Sequence, residues 1–355
     1  MKLLEKTCRD IFPQDSEYRD LAKSRLEQLT MPYWALGDIM DLGIDLAGMT
    51  RSITPNVSRK AIVTMAGDHG VVAEGVSKFP SEVTPQMVYN IVSGGAGINA
   101  LAGQAGADVF VVDMGVDAEF TDLKSDDNFI DRKIAPGTNN IAAGPAMSIA
   151  NAGKAVETGI EIALELGESY DIFGTGDMGI GNTTPSSAIA AVVTGKPINE
   201  LTGRGTGLND EQLEQKIKIV ERIIEINKPD PENGLDILAK VGGYEIGGIA
   251  GLILGAAAQN KPVVVDGFIS TAGALIAYKI EPFVRDYLIC SHRSVEPGHA
   301  YMQEILGREK PLLDLNFRLG EGTGGALAMN IVEAACRVLI EVATFAEAAV
   351  AEADK

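Results

Sequence analysis

The sequence predicts an α/β protein in which a mainly parallel sheet is covered by helices on both faces. Short apolar strands alternate with helical stretches, glycine-rich loops follow the strands, and aromatic residues make up only 5% of the 355 residues. Strands separated by helices pair in parallel through right-handed crossovers. A chain that is 46% hydrophobic and holds 40 glycines is long enough for one large core and a smaller appendage.

The elements follow one another in a regular order. Residues 16–29 begin at a serine and repeat apolar side chains at helical spacing. Helices are also expected near 212–226 and, rich in alanine, near 325–350. The predicted strands are 60–66, 107–114, 170–175, 262–268, 285–290 and 312–319.

This pattern suggests two domains. We expect a large α/β domain over residues 61–324 that carries the active site. Residues 1–60 and 325–355 are expected to form a small helical domain together, because both segments are helical and lie outside the alternating pattern.

The charge balance and the cysteine content restrict the partners and the compartment. A net charge of −19 argues against nucleic acid or an anionic membrane as a partner. Cys8, Cys290 and Cys336 are far apart, so neither a disulfide framework nor a cysteine zinc site is expected. The charged N-terminus lacks a signal core, and we expect no apolar span of 18 residues, so the sequence predicts a cytoplasmic protein.

The loops after the strands combine glycines with acidic or hydroxyl side chains. Ligands bind at the carboxyl ends of parallel strands, so these loops are expected to form one pocket. His69, His292 and His299 have no metal-ligand spacing, and we expect neither a metal nor a cofactor. The sequence also lacks the phosphate-binding pattern of kinases and ATPases and the nucleophile pattern of hydrolases.

The stretch GTGDMGIGNTTP at 174–185 is the most informative of these loops. Gly174, Gly176 and Gly179 match the dinucleotide pattern G-x-G-x-x-G, which leaves a nicotinamide-dependent oxidoreductase open as an alternative. In that fingerprint, however, the helix opens within the glycines.

Here the helix is expected to open only after the glycines, with Thr184 as its cap and Pro185 as its first residue. The longer loop, together with Asn182, Thr183 and the helix N-terminus, favours a phosphate monoester as ligand. A glycine turn that only packs the helix against the strand is the other interpretation.

A second glycine loop, TGRGTGL at 202–208, precedes a helix capped at Asn209 or Asp210. Lys216 lies about two turns into that helix and could reach back to a phosphate as a point charge. On the residues alone, a solvated surface lysine is the more common outcome.

Glu321 lies between Gly320 and Gly322, where the chain turns from strand to helix. The two glycines allow a ligand to approach closely and the carboxylate to point inward. A wall of small apolar residues would raise the pKa of the carboxyl, which suits a general base. Stabilisation of the next helix through its dipole explains the same position equally well.

Six motifs then follow in order along most of the chain. They are GDHGVVAEGVSKFPSEVTPQMVYNIVSGGAGINALA (67–102), GTGDMGIGNTTP (174–185), TGRGTGL (202–208), LAKVGGYEIGGIAG (238–251), DGFIST (266–271) and RLGEGTGGALAM (318–329). Together they resemble the nicotinate-nucleotide–dimethylbenzimidazole phosphoribosyltransferase family, over roughly residues 10–345.

The resemblance implies a Rossmann-like six-stranded parallel sheet and a small helical domain that approaches the partner's active site in a homodimer. It implies transfer of phosphoribose from nicotinate mononucleotide to dimethylbenzimidazole, giving α-ribazole phosphate and nicotinate. The family's base, in R-L-G-E-G, falls on Glu321, and its acceptor slot on Phe79, Pro80 and Met87. The remaining candidate substrate-binding residues are Gly176, Asp177, Gly179, Asn182, Thr183, Gly203, Gly205, Lys216, Ser294, Gly322 and Thr323.

One residue departs from the family pattern. Many members carry glutamate where this chain has Asp177, which is one methylene shorter. Related enzymes use phenolic or purine acceptors, so the shorter side chain leaves the acceptor open. A non-catalytic nucleotide-binding subunit is the alternative outside catalysis, and the presence of Glu321 argues against it.

Overall fold

The computed structural model describes residues 1–351. Its strands are β1 (Lys60–Gly67), β2 (Ala107–Gly115), β3 (Phe129–Asp131), β4 (Ile172–Met178), β5 (Val263–Val265), β6 (Leu288–Cys290), β7 (His292–Ser294) and β8 (Leu313–Phe317). Its α-helices are α1 (Lys2–Arg9), α2 (Ser16–Leu26), α3 (Asp38–Thr50), α4 (Val83–Val92), α5 (Gly97–Ala105), α6 (Ile149–Gly167), α7 (Thr183–Thr194), α8 (Ile198–Leu201), α9 (Asp210–Asn227), α10 (Gly234–Val241), α11 (Tyr244–Ala258), α12 (Phe268–Ile280), α13 (His299–Ile305), α14 (Thr323–Glu341) and α15 (Phe345–Ala348).

The main sheet has six strands in the order β3-β2-β1-β4-β5-β6, all paired in parallel. This confirms the predicted α/β class with a six-stranded parallel sheet. The chain builds β2 on one side of β1 and later places β4 on its other side, so the strand order reverses between β1 and β4. A crevice for a ligand is expected beyond the carboxyl ends of the strands at such a switch point.

The strand predicted at 312–319 is present as β8, but it does not belong to this sheet. β8 pairs in parallel with β7 in a separate two-stranded sheet, and β3, which the sequence analysis missed, occupies the edge of the main sheet. The middle of β8 is exposed, as expected for a strand outside the core. β3 is only three residues long, which is too short to show a recognisable period.

The helices cover the sheet through close contacts between small residues. α11 is buried along nearly its whole length, which explains its apolar sequence. A side chain at Gly251 would collide with the backbone carbonyl of Val156 in α6, and one at Gly159 with the carbonyl of Gly248. Glycine at these positions lets the two helix backbones pack directly against each other.

α14 corrects the expectation that no long apolar span exists. Its mean hydropathy of 1.3 and its 19 residues are sufficient, by length and composition alone, to cross a membrane. Over half of the apolar window, 56%, is buried, and the helix packs against α3, α5 and the sheet strands β1, β4 and β5. These contacts are those of a core helix in a globular fold.

A second, smaller core joins α2 and α3 to the C-terminal half of α14. It contains Ala22, Leu26, Leu29, Met40, Ile44, Ala47 and Leu339. The helix expected at 325–350 is interrupted, because α14 ends at Glu341 and a capping box at Thr344 starts α15. Residues 352–355 of the expected small domain lie outside the described residues.

Candidate active site

A cavity of about 550 Å³ opens at the carboxyl edge of the main sheet. Its walls come from α4, from the ends of β4, β5 and β7, and from the turn between β8 and α14. The predicted residues that line it are Phe79, Met87, Asp177, Gly179, Asn182, Thr183, Gly205, Ser294 and Glu321. The loops that follow separate strands therefore form one pocket.

The other candidate residues lie behind or beside this wall. Gly176 packs under the backbone of Glu321, and Lys216 reaches the wall through Thr183. Thr323 lines a neighbouring groove. Gly203 packs on the carboxylate of Glu296, Gly322 caps α14, and Pro80 is exposed at the rim beside Phe79.

The turn that carries Glu321 is made of three consecutive residues with left-handed backbones. Gly320, Glu321 and Gly322 have φ values of 84°, 63° and 96°. A side chain at 320 would meet the Asp177 carboxylate at 3.1 Å, and one at 322 would meet Ile62 at 2.5 Å. Glycine is thus required on both sides, and Glu321 keeps a conformation that non-glycine residues rarely adopt.

The Glu321 side chain faces the cavity and is only 4% exposed. Its Oε2 accepts a hydrogen bond of 3.1 Å from the N–H of Ile98, in the first turn of α5. Burial raises the pKa of the carboxyl, and the Ile98 N–H partly offsets this effect. Glu321 therefore does not cap the helix that follows it, which corrects one interpretation of the sequence.

Asp266, which follows β5, holds the N-terminus of α14 instead. Its carboxylate accepts from the N–H groups of Gly322 at 3.1 Å, Gly324 at 2.8 Å and Gly325 at 3.1 Å. Burial raises its pKa to about 7, against the lowering effect of the three N–H donors. Asp266 thereby fixes the helix end from which the Glu321 turn departs.

Asp177 forms the floor of the cavity beside Glu321. Its Oδ2 accepts from Asn182 Nδ2 at 3.0 Å, whereas its Oδ1 is buried without a partner in the described residues. Burial and the nearby charge of Asp266 raise the pKa of Asp177 well above its usual range.

The 174–185 stretch does not have the dinucleotide-binding geometry. Gly174 and Gly176 lie within β4, and α7 begins at Thr183 with Asn182 as its cap. The helix thus starts slightly earlier than the predicted cap at Thr184, but still after the glycines. Asn182 and Thr183 at its N-terminus line the cavity, as expected for an anion site.

Lys216 is buried, so the expectation of a solvated lysine is wrong. It is 1% exposed, and its Nζ donates to Thr183 Oγ1 at 2.8 Å and to the Gly203 carbonyl at 3.3 Å. Burial lowers its pKa to about 8, and the charge of Glu296 opposes that effect. The predicted cap of its helix, Asn209, is confirmed by a capping box with Gln212.

Comparison with known proteins agrees with this geometry. A family model described as phosphoribosyltransferase matches residues 11–350. A curated nicotinate-nucleotide–dimethylbenzimidazole phosphoribosyltransferase of Desulfotalea psychrophila is 66% identical over all of both chains, and one of Geobacter sulfurreducens is 53% identical over all of both. The crystal structure with that name from Thermus thermophilus superposes with a TM-score of 0.89 at 42% identity, covering 96% of this chain and 100% of the other.

The chain belongs to the nicotinate-nucleotide–dimethylbenzimidazole phosphoribosyltransferase family. Neither a nicotinamide-dependent oxidoreductase nor a non-catalytic subunit gains support from these relatives. Within residues 1–351, no group of three His, Cys, Asp or Glu side chains is placed to hold a metal ion.

Several residues of this phosphoribosyltransferase site were not predicted from the sequence. Phe268, His292, Glu296 and Arg318 line the cavity, and Asp266 supports it from behind. Asp266, Phe268 and Arg318 lie in two of the motifs quoted above, and His292 and Glu296 lie in the segment that follows β6, so position after a strand was the available signal. Their roles were missed because no local pattern tells which side chains turn inward.

Proposed function

We propose that the protein transfers phosphoribose from nicotinate mononucleotide to dimethylbenzimidazole, giving α-ribazole phosphate and nicotinate. The observation that carries this proposal is the buried carboxylate of Glu321, held at the cavity wall by a turn with positive φ angles and by the Ile98 N–H. Membership of the family supports the reaction. The alternative is the same transfer of phosphoribose to a phenolic or purine acceptor.

The chemistry requires one proton acceptor and little else from the protein. A ring nitrogen of the acceptor attacks C1′ of the ribose, and the bond from C1′ to the pyridinium nitrogen breaks. The electron pair of that bond neutralises the departing ring, so no acid is needed at the leaving group. Glu321 takes the proton from the second ring nitrogen of the acceptor, and positioning supplies much of the remaining rate.

The donor phosphate is assigned to the N-terminus of α7 and the loop of Gly203 and Gly205. Asn182 and Thr183, at the N-terminus of α7, line the cavity at this place, and the Lys216 ammonium lies 2.8 Å behind Thr183 Oγ1. A buried cation in a strongly acidic protein provides the attraction that a phosphate needs. Ser294 lines the same cavity.

The acceptor is assigned to the side of the cavity formed by α4. Phe79, Val83 and Met87 present apolar surface there, and Phe79 is 50% exposed. A flat aromatic base fits between such side chains and the Glu321 carboxylate. Asp177 is shorter than the family's usual glutamate and leaves more room at the floor of the cavity. The range of acceptor bases that the enzyme uses should therefore be measured.

Product analysis tests the proposed function. The enzyme would be incubated with nicotinate mononucleotide and, one at a time, benzimidazoles, phenols and purines, and the products separated by chromatography. We expect nicotinate and α-ribazole phosphate to form in equal amounts with dimethylbenzimidazole. Nicotinate released only with phenols or purines would replace the acceptor, and no release with any acceptor would refute the transferase.

We also propose the two-domain organisation and the homodimer that the family implies. The small core of α2, α3 and α14 supports a small helical domain formed by residues 1–60 and 325–355. Tyr33 is 74% exposed in that lobe, and Leu319 is 60% exposed at the cavity mouth. Exposed apolar surface of this kind suits burial against a second copy. Cytoplasmic location is proposed from the sequence alone.

Replacing Lys216 with alanine is expected to raise the KM for the donor about tenfold or more and to change kcat less. The attraction between the Lys216 ammonium and the phosphate is the same in ground and transition states, so its loss weakens binding uniformly. Since the pKa of Lys216 is lowered to about 8, the wild-type donor KM should also rise as the pH exceeds that value, because the ammonium loses its charge. Initial rates across donor concentration and pH measure both effects.

Lys218→Ala is the matched control, because Lys218 lies exposed on the same helix. Its kinetics should equal those of wild type. A donor KM that is unchanged in Lys216→Ala would remove Lys216 from the phosphate site.

A further inference from the structure

Arg318 is a charged residue of the cavity to which the reaction above gives no role. It follows β8 and lines the cavity three residues before Glu321. In the described part of the chain its guanidinium has no ion pair and no hydrogen-bond acceptor. Every other arginine there has a carboxylate or a carbonyl within reach. A free guanidinium at the edge of a binding cavity is available to a ligand.

Arg318 lies among carboxylates at the wall of the cavity. Among the residues that line the cavity, Arg318 is the one cationic side chain, and Asp177, Glu296 and Glu321 are the carboxylates. Burial raises the pKa of Glu296, and the positive charges of Lys216 and Arg318 oppose that effect. An acidic site with one unpaired guanidinium attracts an anionic group to that side chain.

The proposed donor carries two anionic groups that lie far apart. Its phosphate is assigned above to the N-terminus of α7 and Lys216, on the wall formed by Thr183 and Gly205. The second anionic group is the carboxylate on its pyridine ring, and that wall offers no further cationic side chain to bind it. A planar guanidinium can bind a carboxylate through two parallel hydrogen bonds, a geometry that a lysine ammonium cannot offer.

We propose that Arg318 binds the ring carboxylate of the donor and so makes the enzyme select a nicotinate nucleotide over a nicotinamide nucleotide. This inference rests on the proposed function. Arg318 also lines the adjoining groove that contains Leu101 and Leu319, so it stands on the rim between the cavity and the surface.

The carboxylate keeps its charge throughout the reaction, because only the ring nitrogen changes charge as the bond breaks. Arg318 therefore binds ground state, transition state and product about equally. Its loss should raise the donor KM and the inhibition constant of nicotinate, with a smaller change in kcat.

The experiment compares Arg318→Ala and Arg318→Lys with wild type on three donors. These are nicotinate mononucleotide, nicotinamide mononucleotide, which lacks the carboxylate, and nicotinate riboside, which lacks the phosphate. We expect Arg318→Ala to lower kcat/KM about 10- to 100-fold with both carboxylate donors and to leave the nicotinamide donor nearly unchanged. Arg318→Lys should recover part of the loss. Where a donor reacts too slowly, the inhibition constants of free nicotinate and free nicotinamide can be compared between the variants and wild type instead.

Arg293→Ala is the matched control. Arg293 lies exposed on β7, pairs with Asp314 at 3.4 Å, and does not line the cavity. It should behave as wild type with every donor. Equal losses in Arg318→Ala with all three donors would overturn the inference, since the carboxylate would then not matter. A loss confined to the two phosphate-bearing donors would overturn it in favour of a phosphate contact. Both results need an active wild type; a wild type that transfers from no donor would refute the proposed function itself.

Discussion

Replacing Glu321 with glutamine is expected to lower kcat about 10²- to 10⁴-fold, the usual contribution of a positioned general base. Glutamine keeps the size of the side chain, and its carbonyl oxygen can still accept the Ile98 N–H that Glu321 Oε2 accepts at 3.1 Å. It cannot take a proton from the acceptor. Since both residues carry a Cβ, the strain of the positive φ is the same in the two proteins. The melting temperature should therefore stay close to that of wild type.

The pH dependence of kcat provides a second test of Glu321. Burial raises the pKa of its carboxyl, so the acid limb of the profile should lie above the ordinary range of a glutamate. As the pH falls through that pKa, the carboxylate becomes protonated and loses its capacity to accept the proton, and kcat falls. This limb should vanish in Glu321→Gln, whose residual rate has no such group.

Glu341→Gln is the control for these measurements. Glu341 is exposed at the end of α14, and its change should alter neither kcat nor the melting temperature. Measuring kcat and thermal unfolding on the same preparations separates the two roles of Glu321. A lower melting temperature with near-normal kcat would mean that Glu321 only stabilises the N-terminus of α5.

The central strands could be predicted from the sequence because their burial is continuous. β1 is buried at each of its eight residues and β4 at each of its seven, and apart from Lys60 and Asp177 each is a run of apolar, small or hydroxyl-bearing side chains without the alternation of a half-buried strand. β8 is apolar only at alternate positions and is exposed along its middle, yet a period of two does not reveal which sheet a strand joins. The pattern of 312–319 therefore predicted a strand but not the sheet that the strand joins.

A site residue could be predicted where its neighbours in the sequence reveal a constraint on the backbone. Glu321 stands out because glycines flank it, and the structure requires glycine at both positions. Lys216 could not be placed, because the depth of α9 in the fold decides whether a lysine on it is buried or solvated. Asp266 was missed because its partner N–H groups begin 56 residues later, at Gly322, and no local pattern joins the two segments.

That distant contact leads to the second large expected effect: Asp266→Ala should destabilise the fold by about 2–4 kcal/mol. Three N–H groups at the start of α14, from Gly322, Gly324 and Gly325, would lose the carboxylate that accepts them. All three are shielded from water, since Asp266 is only 1% exposed, so solvent cannot replace the lost acceptor fully. Asp266→Asn keeps one oxygen acceptor and should lose less.

Asn209→Ala gives the comparison that makes the burial argument testable. Asn209 caps α9 at the surface, where water can satisfy the freed N–H groups, so its loss should cost about 1 kcal/mol. Chemical denaturation of the three variants measures these differences.

Because the Glu321 turn departs from the helix end that Asp266 holds, Asp266→Ala should also lower kcat under conditions where it remains folded, whereas Asn209→Ala should not. If Asp266→Ala were as stable as Asn209→Ala, the packing of the glycines, and not the carboxylate, would hold the start of α14. If its kcat were also normal, the Asp266 carboxylate would not be needed to position Glu321.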